Sequence, residues 1–237
     1  MADYLLESFN ILTQILQKAD PSGLLSASMD YRPDSSELKI LSERFTLPGG
    51  SGIYLAGAGK ASAGMALGAE NALGEYLKDA MVISSPNPFH HPKKTRVLTG
   101  SHPYPDHRSF QATEQLLEFI GQIPSKSLLI NLISGGTSSL LCRPAGSIPK
   151  DDIHTLYRQL VTSGADIRQI NAVRKAVSSV KGGQMLSYMK HLRIIDLVIS
   201  DVPDDSIEDV GSGPTTPQLI SHIEAKKILG DLSLWES

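Results

Sequence analysis

Three loop segments, the first two glycine-rich, place hydroxyls, a lysine or a carboxylate where a ligand could meet them: "GAGKAS" at 57–62, "SGGTSS" at 134–139 and "SDVPDD" at 200–205. The first is neither of the two common phosphate motifs. A Walker A loop reads Gly-x-x-x-x-Gly-Lys-Ser/Thr, but Ala61 follows Gly59-Lys60 and Tyr54 stands five places before Gly59. A dinucleotide fingerprint wants glycine or alanine where Ser62 stands, and an acid near the end of the second strand, which instead runs into "SSPNPFHH". A more general reading remains. Gly57 and Gly59 let backbone approach a ligand, the following helix offers free N–H groups to an anion, and Lys60 adds a positive charge. A structural turn with a solvated lysine fits the same residues.

In "ISGGTSSLL", Gly135 and Gly136 permit positive φ, while Ser134, Thr137, Ser138 and Ser139 put hydroxyls beside backbone donors. The segment is not Gly-x-Ser-x-Gly, and no His/Asp relay accompanies it, which argues against a serine hydrolase. Asp201 ends an apolar run, where a carboxylate could bind Mg²⁺, orient a hydroxyl or remove its proton. Asp204, Asp205, Glu208 and Asp209 follow in a loop and read as solvated, and "GSGPT" at 211–215 adds another glycine turn. Along "IRQINAVRKAVSSVKGG", Ile170, Val173, Val177 and Val180 form an apolar stripe. Asn171, Arg174, Lys175, Ser178 and Lys181 lie opposite, and no acid occurs between Asp166 and Asp196. A solvated face explains such a stripe. The lack of internal ion partners favours an anionic ligand or a partner surface instead. His90, His91, His102 and His107 sit in Pro-rich loops without a metal-ligand spacing, and Cys142 reads as a small hydrophobe.

The elements that must hold these segments alternate. The spacing of Leu5, Phe9, Leu12 and Leu16 predicts a first helix, stopped by Pro21, and a short amphipathic piece covers 37–45. Strands are expected at 53–56, 80–84, 96–99, 128–133 and 194–199, the first and last of them buried and 128–133 the strongest. Helices are expected at 60–77, 108–120, 151–163 and 167–180. Short apolar strands interleaved with amphipathic helices indicate a mostly parallel sheet, so the expected fold is a Rossmann-like three-layer α/β/α sandwich spanning residues 1–237 as one domain. Ligands then bind beyond the carboxyl ends of the strands, where these three loop segments fall.

The chain has 237 residues, 41% hydrophobic and 20% charged, enough for a substantial core and inconsistent with wholesale disorder. A net charge of -3 gives no reason to expect nucleic acid or an anionic membrane as partner. A single cysteine suits a reducing compartment. The first residues, "MADYLLESFN", lack a basic n-region and a long apolar run, so a cytoplasmic protein is expected.

Together "GAGKASAGMA", "GSHPYPDHRS", "LISGGTSSLL", "INAVRKAVSSVKGG" and "ISDVPDDSIEDVGSGPT" resemble, in order and spacing, the glycerate kinases that form 2-phosphoglycerate. Some members of that family carry the label hydroxypyruvate reductase, which the failed dinucleotide fingerprint argues against here. The resemblance implies ATP-dependent phosphorylation of D-glycerate, with Mg²⁺, in a cleft between two domains. It also implies roles. Lys60 neutralises charge on the substrate or the transferring group, and Asp201 orients or deprotonates the accepting hydroxyl. Asn171, Arg174, Lys175 and Lys181 line the anion-binding cleft. Gly57, Gly59, Ser134, Gly135, Gly136, Thr137 and Ser138 belong to the loops that supply backbone donors. No protein-built metal site is implied. Thr137 stands where the family's third glycine is usual, His107 where an acid often follows "PD", and the family's second domain is not represented. The expected partner is therefore a second copy of the chain or a separate chain bearing that domain, with weak activity alone. The alternative is a non-catalytic module that kept the loops to bind an anion or a partner.

Overall fold

The computed structural model describes residues 18–202 and 205–234, so the helix predicted around Leu5 to Leu16 and the acid Asp204 lie outside the described residues. Strands β4 (Ile53–Ala58), β5 (Leu77–Ser84), β6 (Arg96–Thr99), β7 (Leu128–Ser134) and β8 (Arg193–Ile199) form a parallel sheet in the order β6-β5-β4-β7-β8. The sheet is sandwiched between helices, as the alternation implies. Its strands alternate sides with a period of two. Ile53 and Leu55 of β4 and Leu128, Ile130 and Leu132 of β7 pack with α2 (Ser62–Leu73) and α1 (Pro21–Ser28). Ala56, Ala58 and Leu129 pack on the other side with Leu116, Leu117 and Ile120 of α3 (His107–Gln122).

A second apolar cluster sits beside this sandwich. It is built from α5 (Lys150–Thr162), α6 (Ile167–Ala176) and α7 (His222–Asp231), with Leu160, Val173 and Ile228 among its buried residues. The one-turn helix α4 (Thr137–Leu140) follows β7 directly.

Residues 37–45, expected only as a short amphipathic piece, are a hairpin, β2 (Glu37–Ile40) with β3 (Glu43–Thr46), in an antiparallel meander with β1 (Met29–Arg32). Leu38 and Ile40 point into the core at the two-residue spacing of a strand. Three expectations change. The helix expected over 60–77 spans only Ser62–Leu73, because Gly74, at φ 55°, ends it. The helix expected to reach Val180 ends at Ala176. Beyond it Ser179 donates its N–H to Arg143 O, and Ala145 donates to Val177 O, pairing an extended stretch with residues 143–145. The strand around 194–199 is not fully buried. It forms an edge of the sheet, and its apolar residues are only half-covered.

The ends of β4 and β7 approach each other closely. A Cβ on Gly57 would stand 2.1 Å from Leu132 O and 2.8 Å from Leu132 N. These are backbone atoms of the central ladder and cannot move alone. Gly57→Ala is expected to destabilise the chain by about 3 kcal/mol, the upper range for an overpacked core site, read as a lower urea midpoint. An unchanged midpoint would show that the two strands can separate at that point.

Candidate active site

The turn after β4 and the turn after β7 are locked together. Lys60 donates its N–H to Gly135 O (2.9 Å), Ala61 donates its own to Ser134 Oγ (3.1 Å), and Ser62 donates to Gly59 O (3.1 Å). A Cβ on Gly59 would stand 2.0 Å from Ser134 Oγ. The "GAGKAS" turn is therefore only partly open. Gly57 and Gly59 make room for β7, and the amides of Lys60, Ala61 and Ser62 bond to protein rather than offering themselves to a ligand. Only the Lys60 side chain, which is exposed, leaves the turn toward solvent.

The loop after β7 behaves differently. Ser139 and Leu140 donate back to Gly136 O, and Leu141 donates to Thr137 O, while the amides of residues 135–138 take no part in these turn bonds. Gly136 adopts φ 84°, a left-handed conformation that favours glycine. Thr137 is not left-handed, so a third glycine is not required there. Its hydroxyl lies 2.5 Å from Ala58 O and 2.7 Å from Ser134 O and can donate to one at a time. That hydroxyl and Ser134 Oγ hold the two loops together, which leaves the backbone amides and the half-buried Ser138 hydroxyl as the loop's donors.

Asp201 reaches this loop from the end of β8. A Cβ on Gly135 would lie 1.9 Å from Asp201 Oδ2, so the carboxylate sits directly over Gly135. A Cβ on Gly136 would lie 3.1 Å from Lys60 Cγ and 3.1 Å from His102 Cδ2. Lys60, residues 135–136, Asp201 and His102 therefore meet at one place, beyond the carboxyl ends of β4, β7 and β8 and the loop after β6. Among the described residues, no ion pair engages Lys60 or Asp201.

His102 is the residue that sequence reasoning passed over. Its motif, "GSHPYPDHRS", is recognisable, but metal-ligand spacing, the usual signal for a histidine, says nothing about an anion contact. The usable signal was position: the residue follows a strand at the same edge as the other loops. Burial pushes its proton affinity below the ordinary histidine value. The nearby charges of Lys60 and Arg174 add to this, and Asp201 opposes it.

The basic stripe of α6 divides three ways. Four of its five residues are buried, so it is not a solvated face: Asn171, Arg174, Ser178 and Lys181. Asn171 Oδ1 accepts from Ser212 Oγ (3.1 Å), and its amide approaches Asp209 Oδ1 (3.4 Å), tying α6 to the "GSGPT" turn. Lys175 bonds Gln218 Oε1 and lines, with Arg168 and Asp209, a cavity of about 250 Å³ apart from the Lys60 cluster. Burial lowers the pKa of Lys175, against the pull of Asp209 and Glu208. Arg174 is 7% exposed, and its guanidinium carbon lies 4.6 Å from the Tyr157 ring centroid. No hydrogen-bond partner reaches its buried Nε among the described residues. Lys181 is fully buried and donates to Leu141 O at 2.7 Å. Its expected place in an anion-binding lining is corrected: the helix ends before it, and its ammonium points at a backbone carbonyl in the core. Of this stripe, Arg174 is the residue whose charge reaches the Lys60–Asp201 cluster through His102.

The fold and these contacts define a strand-end cluster in a three-layer α/β domain, with cations and one carboxylate around a glycine loop. Residues 8–237 match the family model described as a domain of unknown function, DUF4147. The chain is 33% identical to a glycerate kinase of Bos taurus, covering 90% of this chain and 43% of that protein. It is 30% identical to a glycerate 2-kinase of Pyrococcus horikoshii, covering 95% and 50%. A crystal structure of a Pyrococcus horikoshii protein superposes with a TM-score of 0.84 at 29% identity, over 96% of this chain and 51% of that one. The chain belongs to the glycerate 2-kinase family and corresponds to its N-terminal domain. It spans about half the length of the curated relatives it matches. Among the described residues, no helix is long and apolar enough to cross a membrane.

Burial pushes the Lys181 pKa from an ordinary 10.5 down to about 8, with Arg174 adding to the effect and Cys142 opposing it. Between these values the unfolded chain binds the proton and the folded chain does not, so this residue makes stability rise as pH climbs from about 8 toward 10.5. Cys142 and Tyr157, whose pKa values burial raises, act in the opposite sense above their ordinary values. The difference between wild type and Lys181→Met isolates the lysine. Urea unfolding at pH 7.5 and pH 10 is expected to show wild type gaining on the variant at the higher pH. A constant difference would mean that the buried ammonium keeps its proton throughout.

Proposed function

We propose that the chain carries the glycerate- and phosphate-binding half of a kinase that transfers a phosphoryl group from ATP to D-glycerate, giving 2-phosphoglycerate. The observation that carries this reading is the meeting of Lys60, Gly135, Gly136 and Asp201 at one edge of the sheet. Phosphoryl transfer demands positioning and charge stabilisation more than covalent chemistry, and cations, backbone donors and one carboxylate suit that demand. The amides of residues 135–138 and the Lys60 ammonium receive the transferring group's oxygens. The substrate 2-hydroxyl oxygen bonds to the γ-phosphorus as the bond to the ADP oxygen breaks, and Asp201 orients that hydroxyl and takes its proton. Arg174, buried without a carboxylate partner among the described residues, keeps the surroundings positive.

Among the described residues, no three His, Cys, Asp or Glu side chains gather as a metal cage. That donor set suits Mg²⁺ that arrives with, and is held by, the nucleotide phosphates, leaving Asp201 to the accepting hydroxyl. When bound, the ion supplies charge neutralisation on the phosphate oxygens. The relatives' greater length supports a cleft completed by further protein, whether another part of the same polypeptide, a separate chain or a second copy. Open to water, its charges act in a high dielectric.

The chain as given is therefore expected to bind ATP–Mg²⁺ and D-glycerate only at about millimolar concentration, as a few exposed polar contacts allow. The test is a coupled assay of ADP formed from ATP–Mg²⁺ and D-glycerate, beside calorimetry of each ligand. Lys60→Met is expected to lower turnover by about 10² or more, as for loss of one preorganised charge, with the unfolding midpoint kept because the side chain is exposed. Equal turnover in the two proteins would return Lys60 to a solvated surface role. Gly135→Ala should also lower turnover, since its Cβ would displace the Asp201 carboxylate. A full rate in that variant would remove Asp201 from the reaction.

A further inference from the structure

The loop between β6 and α3 is held at several points. Ser101 donates its N–H to Ser109 Oγ (2.8 Å), Ser139 Oγ donates to Pro103 O (2.5 Å), and the Asp106 carboxylate accepts from Arg108 N (2.9 Å) at the start of α3. The Ser139 bond ties this loop to the one-turn helix that follows the Gly135–Gly136 turn. The segment is thus positioned from both ends, and between its anchors it delivers His102 to Gly136, on which Lys60 also rests. The charged groups whose fields act on this imidazole are Lys60 from the turn before α2, Arg174 from α6 and Asp201 from the end of β8. Burial first, and then the two cations against one carboxylate, make the imidazole hold its proton less tightly than an ordinary histidine. An oxyanion placed over Gly136 would offset the repulsion from both cations.

We propose that His102 is an anion-contacting residue of the Lys60–Asp201 cleft, gripping a phosphoryl-type oxyanion set over Gly136 and taking up a proton as that oxyanion binds. This rests on the reading of the cleft as an anion site, and it adds a residue to it. Three consequences follow from the geometry. The oxyanion meets imidazolium, ammonium and loop amides together, so affinity should rise as pH falls through the histidine range. Binding and proton uptake are linked, so each must strengthen the other. The effect belongs to His102 and not to the remaining histidines: His90, for example, bonds Asp20 at 2.6 Å on the α1 side.

The test uses the whole chain and sulfate, which does not titrate between pH 5 and 8, so that neither ATP nor glycerate enters. The imidazole resonance of His102 is assigned by its loss in His102→Gln and followed from pH 5 to 8 with and without sulfate. Sulfate is expected to raise the His102 midpoint while leaving the other histidines in place. In calorimetry, wild type is expected to bind sulfate at least about fivefold more tightly at pH 5.5 than at pH 8, since two unit charges near 4 Å apart in water account for about fivefold and sulfate carries two. His102→Gln should lose that dependence. An unmoved midpoint, a variant that keeps the full pH dependence, or no sulfate binding at either pH would each overturn the proposal. Failure of the kinase reading would show differently, as absent phosphoryl transfer from a protein whose His102 still responds to sulfate.

Discussion

The site depends on the closeness of β4 and β7 at their carboxyl ends. Side chains at the last ladder pairs and just beyond them would hold the two strand ends apart, but Gly57, within the ladder, and Gly59, just past it, have none. Leu132 and Ser134 occupy the space that Cβ atoms would take. Once the strands are this close, the amides of Lys60 and Ala61 can reach Gly135 O and Ser134 Oγ. One turn becomes a brace for the other, and the braced turn is the one whose amides remain available. The same closeness sets Lys60 beside Gly136. Backbone braced in this way keeps donors aimed without reorganisation, which is what electrostatic stabilisation of a developing charge requires.

Around that brace the charges are unevenly compensated. Arg174 and Lys181 are both buried, and neither has a carboxylate within ion-pair distance among the described residues. A buried cation without a partner is costly, and the two are accommodated by different means. Lys181 is satisfied by a backbone carbonyl, and burial weakens its hold on its proton. Arg174 cannot give up its proton. Its guanidinium stacks on the fully buried Tyr157 ring, and its Nε has no acceptor among the described residues. The positive potential it projects is felt at His102, so a core residue shapes a surface site.

The turn at 209–213 couples these parts. Ser212 and Gly213 accept from Gly182 and Gly183, Ser212 bonds Asn171, and a Cβ on Gly211 would stand 2.5 Å from Thr137 Cβ. The chain beyond Asp201 thus packs against α4 and the end of α6 rather than dispersing as an acidic loop. Asn171 and Lys175, read as lining for the same cleft, stabilise or line this adjoining region instead.

Hydrophobic periodicity alone was enough for the parallel sheet, its flanking helices and the placing of the glycine loops at one edge, because burial on two faces leaves a pattern that few other folds share. It also located Lys60, Gly135, Gly136 and Asp201, since a residue just after a buried strand must lie at the sheet's carboxyl edge. Where elements stop was less legible. Ala176 ends its helix because residues 178–179 find partners at 143–145, a contact between segments more than thirty residues apart. Likewise β8 reads as buried from its composition, and only sheet order makes it an edge. The division of the α6 stripe could not be read from spacing, because helical spacing says which residues share a face but not what packs against it. Position at a strand end marked His102 as well as it marked Asp201. Only the tertiary structure brought its ring to within 3.1 Å of where a Gly136 side chain would begin, because that distance is set by the Ser139–Pro103 bond between loops far apart in sequence.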